Sequence, residues 1–231
     1  YRPDGSSGLN FDLQPARSRN REVGAKFRVS NAFTSNIALF RAETDDEIAI
    51  ATNVGGRTTY RNIGAARRQG IEASLLARFG KRWKLQLAGT WLDAEFRTPY
   101  LACSGTPCSA PNTFIDAGSR IPGIPRSTIR AALTWGGEYG WRASTQIERI
   151  GDVTVNDSAI ESAPAYTTLG FDLGYGFALD SGKLRTFLNI DNLLDRNFVG
   201  SVIVNDGNGR YYESGLGRSL MLGMQWQWAA R

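Results

Sequence analysis

Cys103 and Cys108 are the only cysteines, and they lie five residues apart in a stretch rich in Ser, Pro, Gly and Thr. Two thiols so close in a turn-rich segment read best as a local disulfide in an oxidising compartment. A two-thiolate metal site is the other chemistry open to them, but further ligands are lacking nearby. Histidine is absent altogether. That removes a Ser-His-Asp hydrolase, a His-ligated zinc or haem site, and any histidine general base. No catalytic residue, metal site or cofactor is expected. Asp45, Asp46 and Glu47 form an acidic run that could hold a divalent cation, although a solvated loop end explains it as simply.

What chemistry remains is recognition. Arg68, Arg126, Arg130 and Arg210, with Tyr60, Tyr100 and Tyr211, are cationic and aromatic groups of the kind that hold flat or anionic molecules. Arg61 and Tyr212 stand beside them. Each has a plainer reading as well: the arginines as partners of carboxylates, the tyrosines as loop packing or an aromatic girdle. The net charge of +5 comes from 27 Lys and Arg against 22 Asp and Glu. These cations are scattered, with no dense basic run, so a nucleic-acid partner is not expected. Either a solvated surface or an anion-attracting interior accounts for the excess.

The elements that must position these groups are written with a period of two. In residues 167–177, Leu169, Phe171, Leu173, Tyr175 and Phe177 fall on one face. Thr168, Gly170, Asp172, Gly174 and Gly176 fall on the other. Leu220, Leu222, Met224, Trp226 and Trp228 repeat the pattern, as do Trp83, Leu85, Leu87 and Trp91. So do Ile71 to Phe79, Val23 to Val29, Ile129 to Trp135 and Trp141 to Ile147. Phe187 breaks an otherwise regular row of Leu184, Leu188 and Ile190. Residues 33–52 are ambiguous, because Ile37 and Leu39 compete with Ala38 and Phe40 for the apolar face.

About nine strands follow, each long enough to cross a bilayer at a tilt of ~45°. Their second faces carry Arg, Lys, Glu, Gln and Asn, which a packed sandwich core would not accept. Short connections at 30–32, 80–82, 136–140 and 178–182 alternate with long ones near 43–60, 97–119, 151–165 and 199–217. Sorting of turns by length is the signature of an outer-membrane barrel, with short turns periplasmic and long loops exterior. Trp83, Trp135, Trp141, Phe79 and Phe177 all fall beside short turns, where an interfacial girdle belongs. A soluble barrel turned inside out, apolar face lining a cavity, is the competing architecture. Composition agrees with strands rather than helices: mean hydropathy is −0.30, and no apolar run approaches the ~18 residues of a spanning helix. Extending the alternation places Arg68, Arg126 and Arg130 on the lumen face towards the loops.

Gly8-Leu9-Asn10-Phe11-Asp12-Leu13-Gln14-Pro15, followed by Ser18-Arg19-Asn20 and Glu22-Val23-Gly24, resembles a segment of TonB-dependent outer-membrane receptors, with Phe11 where the family has Pro. Asp46-Glu47-Ile48, Tyr60-Arg61-Asn62 and Gln69-Gly70-Ile71-Glu72 follow the family's order, as does Arg120-Ile121-Pro122-Gly123-Ile124-Pro125. Asn189-Ile190-Asp191-Asn192-Leu193-Leu194-Asp195 is similar to its penultimate strand, with Leu194 replacing Phe. The resemblance implies an all-β, antiparallel, 22-stranded barrel filled by an N-terminal plug that carries a TonB box. Residues 1–231 would then be the C-terminal part of the barrel domain, with plug and box outside them.

The implied function is uptake of ferric chelates, siderophores above all, across the cell outer membrane, energised through TonB by way of the plug. Lipid, lipopolysaccharide and the barrel-assembly machinery are implied partners. The strand ending Gln225-Trp226-Gln227-Trp228 resembles the signal that machinery reads, though Ala229, Ala230 and Arg231 follow it. Residues 1–8 have no cationic or apolar leader pattern, so no signal peptide is expected in them. On the resemblance, Arg68, Arg126, Arg130, Tyr60, Tyr100, Arg210 and Tyr211 would touch ligand, while Asn192 and Asp195 would fix barrel geometry. A passive porin, an adhesion barrel, or a receptor of this family for copper or cobalamin are the alternatives.

Overall fold

The computed structural model describes residue 6 and residues 8–55 and 57–228. The expectations on residues 1–5 and 7, and on Ala229 to Arg231, lie outside the described residues. Among those described there is no helix. Nine long strands form one sheet: β1 (Arg17–Ser30), β2 (Phe33–Asp45), β3 (Ala66–Phe79), β4 (Trp83–Phe96), β5 (Ser127–Gly136), β6 (Gly140–Ile150), β7 (Tyr166–Leu179), β8 (Gly182–Asp191) and β9 (Ser219–Trp228). Each pairs antiparallel with its neighbour in sequence, and the sheet is open, since β1 and β9 pair on one side only.

Registry turns the alternation into two continuous faces, because directly opposed residues point the same way. Leu87, Ala131, Ile147 and Leu169 stand in one cross-strand row. Gln86, Ala132, Gln146 and Gly170 stand in the adjacent row, facing the other way. The apolar face is left open: Leu222 is 79% exposed, and Val23, Ile37, Leu39, Ile71, Trp91 and Met224 are exposed with it. An apolar belt this large does not suit a water-facing surface. The polar face lines two of the cavities.

At the short-turn end the apolar face carries a run of rings. Phe79 stacks on Trp83 at 6.1 Å, and Trp83 is paired with Trp135. Trp141 meets Tyr175 edge-on at 5.1 Å, and Trp226 meets Trp228 at 5.4 Å. Rings with one wet and one apolar side gather at a membrane–water boundary.

The ambiguous stretch 33–52 is two elements. Ile37 and Leu39 pair with Ala73 and Ile71 on the apolar face, so Ala38 and Phe40 face inward. The strand stops at Asp45, Asp46 takes a φ of 57°, and Ile48–Val54 turns away to pair with Arg57–Asn62. Both pattern-breaking phenylalanines sit over glycine. Phe40 lies opposite Gly70, and Phe187 lies between Gly174 and Gly223. A ring laid flat on a strand shields backbone that a glycine leaves bare. A Cβ on Gly223 would fall inside the van der Waals envelope of the Phe187 ring. Gly223→Ala is therefore expected to destabilise the fold by ~1–3 kcal/mol through overpacking, and Phe187→Ala in the same chain to recover part of it, as read from denaturant midpoints.

Candidate functional site

The four long connections are structured rather than loose. Each carries a short hairpin: Ile48–Val54 with Arg57–Asn62, Tyr100–Ala102 with Thr113–Ile115, Val153–Thr154 with Ser162–Ala163, and Val199–Val202 with Tyr212–Ser214. Among the described residues the buried apolar cluster lies at this end, built by the loops on Phe96 at the tip of β4. Ile63, Phe96, Tyr100, Ala102 and Ile115 pack together, with Ala49 and Ile121 against them. Loops that face water need such a core to hold a shape.

Hydrogen bonds tie the hairpins to one another. Asn53 and Cys108 exchange two backbone bonds of 2.8 Å, next to the disulfide that joins Cys103 and Cys108. Arg61 donates to the Leu101 carbonyl. Asn205 donates to the Asp157 carboxylate at 2.9 Å and accepts the Asp157 N–H at 3.0 Å. Tyr212 donates to Ser162 and Glu161 at 3.4 Å. The Asn205–Asp157 clasp joins two copies of one tripeptide, Val155-Asn156-Asp157 and Val204-Asn205-Asp206. That repeat was the available signal for residues the motif reading passed over.

On the polar face lies a cavity of about 940 Å³ that crosses the strands from Arg28, near the short-turn end of β1, to Ser219 at the loop end of β9, with Phe198, Leu216 and Gly217 of the last long loop at that end. Of the residues expected to touch ligand, it takes Arg130, which is exposed and holds Glu148 at 2.6 Å. Gln86, Gln146, Asn36 and Asp191 supply further polar wall. A volume near the upper end of small-molecule sites, with few charges in it, suits a bulky ligand held by scattered contacts.

The other candidates lie outside its lining. Arg68 reaches up to Glu47 at 3.0 Å. Asp45 is taken by Arg19 at 2.5 Å, so two of the three acids in the run 45–47 are neutralised by arginine and do not converge. No group of acids, Cys or His suited to a metal occurs among the described residues. Tyr60 is exposed on its hairpin, and its carbonyl accepts from Asn10 at 3.0 Å. Arg210 is exposed, its backbone N–H bound to Asp206 at 2.8 Å, and Tyr211 meets Tyr212 at 6.2 Å. Arg126 is exposed at the mouth of β5.

Tyr100 differs from these, since only 7% of it is exposed and its ring packs on Phe96 at 5.0 Å. Burial first, then the Asp157 carboxylate, push its phenol far above the ordinary range, so it stays neutral. Among the described residues its hydroxyl, Thr154 Oγ1 and Arg61 Nε are buried without a hydrogen-bond partner. The structure therefore brings Tyr100, Arg61, Glu47 and Asp157 into one electrostatic neighbourhood and leaves Arg210 and Tyr211 on a separate hairpin.

Asp152, where β6 gives way to its loop, is held below its ordinary value of 3.8 by a hydrogen bond from Arg120 at 2.6 Å, against the opposing effect of burial. A carboxylate held down in the fold stabilises it above the unfolded value, and that contribution is lost as pH falls through the lowered value. Arg120→Gln is accordingly expected to move the Asp152 titration upward, read by carbon-13 NMR of the carboxyl. An unmoved midpoint would exclude the pairing.

Comparison with known proteins adds the following. Residues 1–193 match the family described as TonB dependent receptor-like, beta-barrel. A probable TonB-dependent siderophore receptor of Acinetobacter baumannii, PiuA, is 22% identical over 240 residues, spanning 97% of this chain and 29% of PiuA. The crystal structure of PiuA superposes with a TM-score of 0.71 at 20% identity, over 90% of this chain and 28% of that one. The closed form of the ferric-catecholate import receptor Fiu from E. coli K12 gives 0.68 at 21% identity, over 95% and 29%. The copper transporter OprC also gives 0.68, at 15% identity, over 96% and 33%. The chain thus spans about 29% of the length of the curated relative it matches.

Proposed function

This chain belongs to the TonB-dependent receptor β-barrel family, a family of outer-membrane barrels, and from that premise we propose that the protein imports a ferric chelate, its uptake energised through TonB. The chain supplies nine strands of a 22-stranded barrel on this reading. The free edges of β1 and β9 support it, since hydrocarbon does not tolerate a row of unpaired backbone groups and further strands would cover them.

The observation that carries the proposal is the cavity of about 940 Å³ on the polar face, bordered at one end by the last of four interlocked loops. Ferric chelates are bulky, and many are anionic and flat. On this reading Arg130 of the cavity wall, with Arg68, Arg126, Tyr60, Arg210 and Tyr211 of the strand ends and loops, would offer cationic and aromatic contacts to such a ligand. Tyr100 would contribute through the loop core it anchors. No bond of the ligand is made or broken, so the site needs no acid, base or nucleophile. Relatives named as siderophore receptors agree with this substrate class.

The test is growth and radiolabelled iron uptake in a strain lacking the gene, under iron limitation, with a panel of ferric chelates supplied singly. Loss of growth on one chelate, restored by the gene, is the expected result. Unchanged growth on every chelate overturns iron import; copper uptake measured in the same strain then tests the other ligand class.

A further inference from the structure

On β1 to β4 the apolar face ends abruptly near the long loops. Val23, Leu39, Ile71 and Trp91 stand in one cross-strand row, the last apolar row of the belt. Two residues further along each strand, on the same face, stand Arg21, Arg41, Gln69 and Asp93. The row beyond alternates in sign: Arg19, Glu43, Arg67 and Glu95. Two residues of strand advance about 7 Å, so at a tilt of ~45° these rows lie roughly 5 and 10 Å beyond the belt. Lipid headgroups begin at that depth, since they add about 5–7 Å to each side of the hydrocarbon.

The outer of the two rows is largely satisfied from within. Arg67 holds Glu95 at 2.7 Å, and Arg19 holds Asp45 at 2.5 Å. The inner row is not. Arg21 and Arg41 are directly opposed across β1 and β2, and like charges so placed destabilise a sheet. Arg41 turns to Glu43 at 2.5 Å, and that one carboxylate also lies in the field of Arg21 and Arg19. Arg17 and Arg21 have no carboxylate at ion-pair distance among the described residues. Arg17, Arg19, Arg21 and Arg41 thus share Glu43 and Asp45, and positive charge is in excess. The patch is confined to this sector. Along β5 to β7 the loop-end residues of the same face are Ser127, Ile129, Arg149, Thr167 and Leu169, with one charge among them. A plug inside a barrel lies against the opposite, polar face. Strands added at the edge of β1 stand beside the patch rather than over it, and Arg41 already has β1 and β3 on its two sides.

We propose that this sector, with Arg21 and Arg41 at its centre, docks the phosphorylated headgroup of a glycolipid of the outer leaflet, whose acyl chains lie on the apolar rows beside it. Guanidinium forks match phosphate oxygens in both geometry and charge. A phosphate set between Arg21 and Arg41 offsets the repulsion that Glu43, shared among three arginines, leaves. Continuity of the cations with Val23, Leu39 and Ile71 favours a lipid over a free anion, because a single lipid molecule covers both. The inference rests on the apolar face meeting the outer membrane, and not on iron uptake.

Native mass spectrometry of the full-length receptor in detergent, titrated with lipid A carrying two phosphates, tests it. Saturable binding is expected, weakened about tenfold by Arg21→Gln with Arg41→Gln and severalfold when the lipid carries one phosphate. Arg149→Gln, on the same face outside the sector, is expected to leave binding unchanged. Arg21→Gln alone breaks no ion pair, so it keeps the comparison available if the double variant does not assemble, and it is expected to weaken binding severalfold. Equal binding by wild type and the Arg21 and Arg41 variants overturns the proposal. So does phosphatidylglycerol or inorganic pyrophosphate bound as tightly as lipid A, and so does a dimer that these variants disperse, which would give the face to a second copy. If no lipid binds and Leu222→Arg costs no more in vesicles than Met221→Arg, the membrane reading falls and the proposal with it. If that difference stands and lipid A does not bind, the proposal alone is overturned.

Discussion

Replacing Leu222 with Arg is expected to lower the unfolding free energy in phospholipid vesicles by ~2–4 kcal/mol, while Met221→Arg one position earlier changes it by no more than ~0.5 kcal/mol. The two residues are neighbours on β9 and both exposed, Leu222 at 79% and Met221 at 54%. What separates them is the face. Leu222 pairs with Leu188, on the apolar side at mid-strand, whereas Met221 pairs with Asn189 on the polar side. In hydrocarbon an arginine loses its hydration with no compensating partner, and towards an aqueous lumen it keeps it. Equilibrium unfolding in urea by tryptophan fluorescence measures both. Equal effects at the two positions would mean that the apolar face does not meet lipid.

Asn192→Ala should cost about 4–5 kcal/mol, for two reasons that can be separated. Asn192 is 6% exposed, and its side chain bonds the Arg196 carbonyl at 2.9 Å, the Leu216 carbonyl at 3.1 Å and the Arg196 N–H at 3.0 Å. Each bond contributes of order 1 kcal/mol net, and a buried group left unpaired adds to the loss. Its backbone is also left-handed, with a φ of 46°, where alanine is strained by ~1–2 kcal/mol and glycine is not. Asn192→Gly therefore loses the bonds alone, and the difference between the two variants isolates the strain. Denaturant midpoints at constant m-value give both numbers. If Ala and Gly behave alike, the left-handed turn is not holding the loop to the start of β9. Asp195 completes that staple, since its carboxylate accepts the Arg218 N–H at 2.9 Å.

These two residues, and the strand that precedes them, mark how far a linear reading reaches. Asn192 and Asp195 were legible as geometry-fixing positions from their motif, but not the atoms they bind, because Leu216 and Arg218 are more than twenty residues away. Phe187 read as a fault in a regular strand. It is the partner of Gly223, a glycine in a different strand that looked like an ordinary polar-face position. Residues 33–52 read as ambiguous because Ile37 and Leu39 compete with Ala38 and Phe40 for the apolar face, and registry with β3 decides it for Ile37 and Leu39. Only the left-handed turn at Asp46 separates β2 from the loop hairpin.

The candidate site was less legible than the fold. Arg68 and Arg130 were placed on the polar face correctly by alternation, because direction along a strand follows from parity alone. Their partners Glu47 and Glu148 are set by loop return and by registry, which parity does not encode. Tyr100 read as a ligand contact or as loop packing, and it packs, because the loop folds back on Phe96 and Ile115.

By itself, then, the order of residues determined that this chain is antiparallel β with one apolar and one polar face, and where its short turns and long loops fall. Those properties are local, repeating every two residues, and each strand carries them independently. Which rings cover which glycines, and that the loops build a buried apolar cluster with the tip of β4, were decided only in three dimensions. Each of those depends on registry between strands or on contacts across tens of residues, and no single segment contains both halves of such a contact.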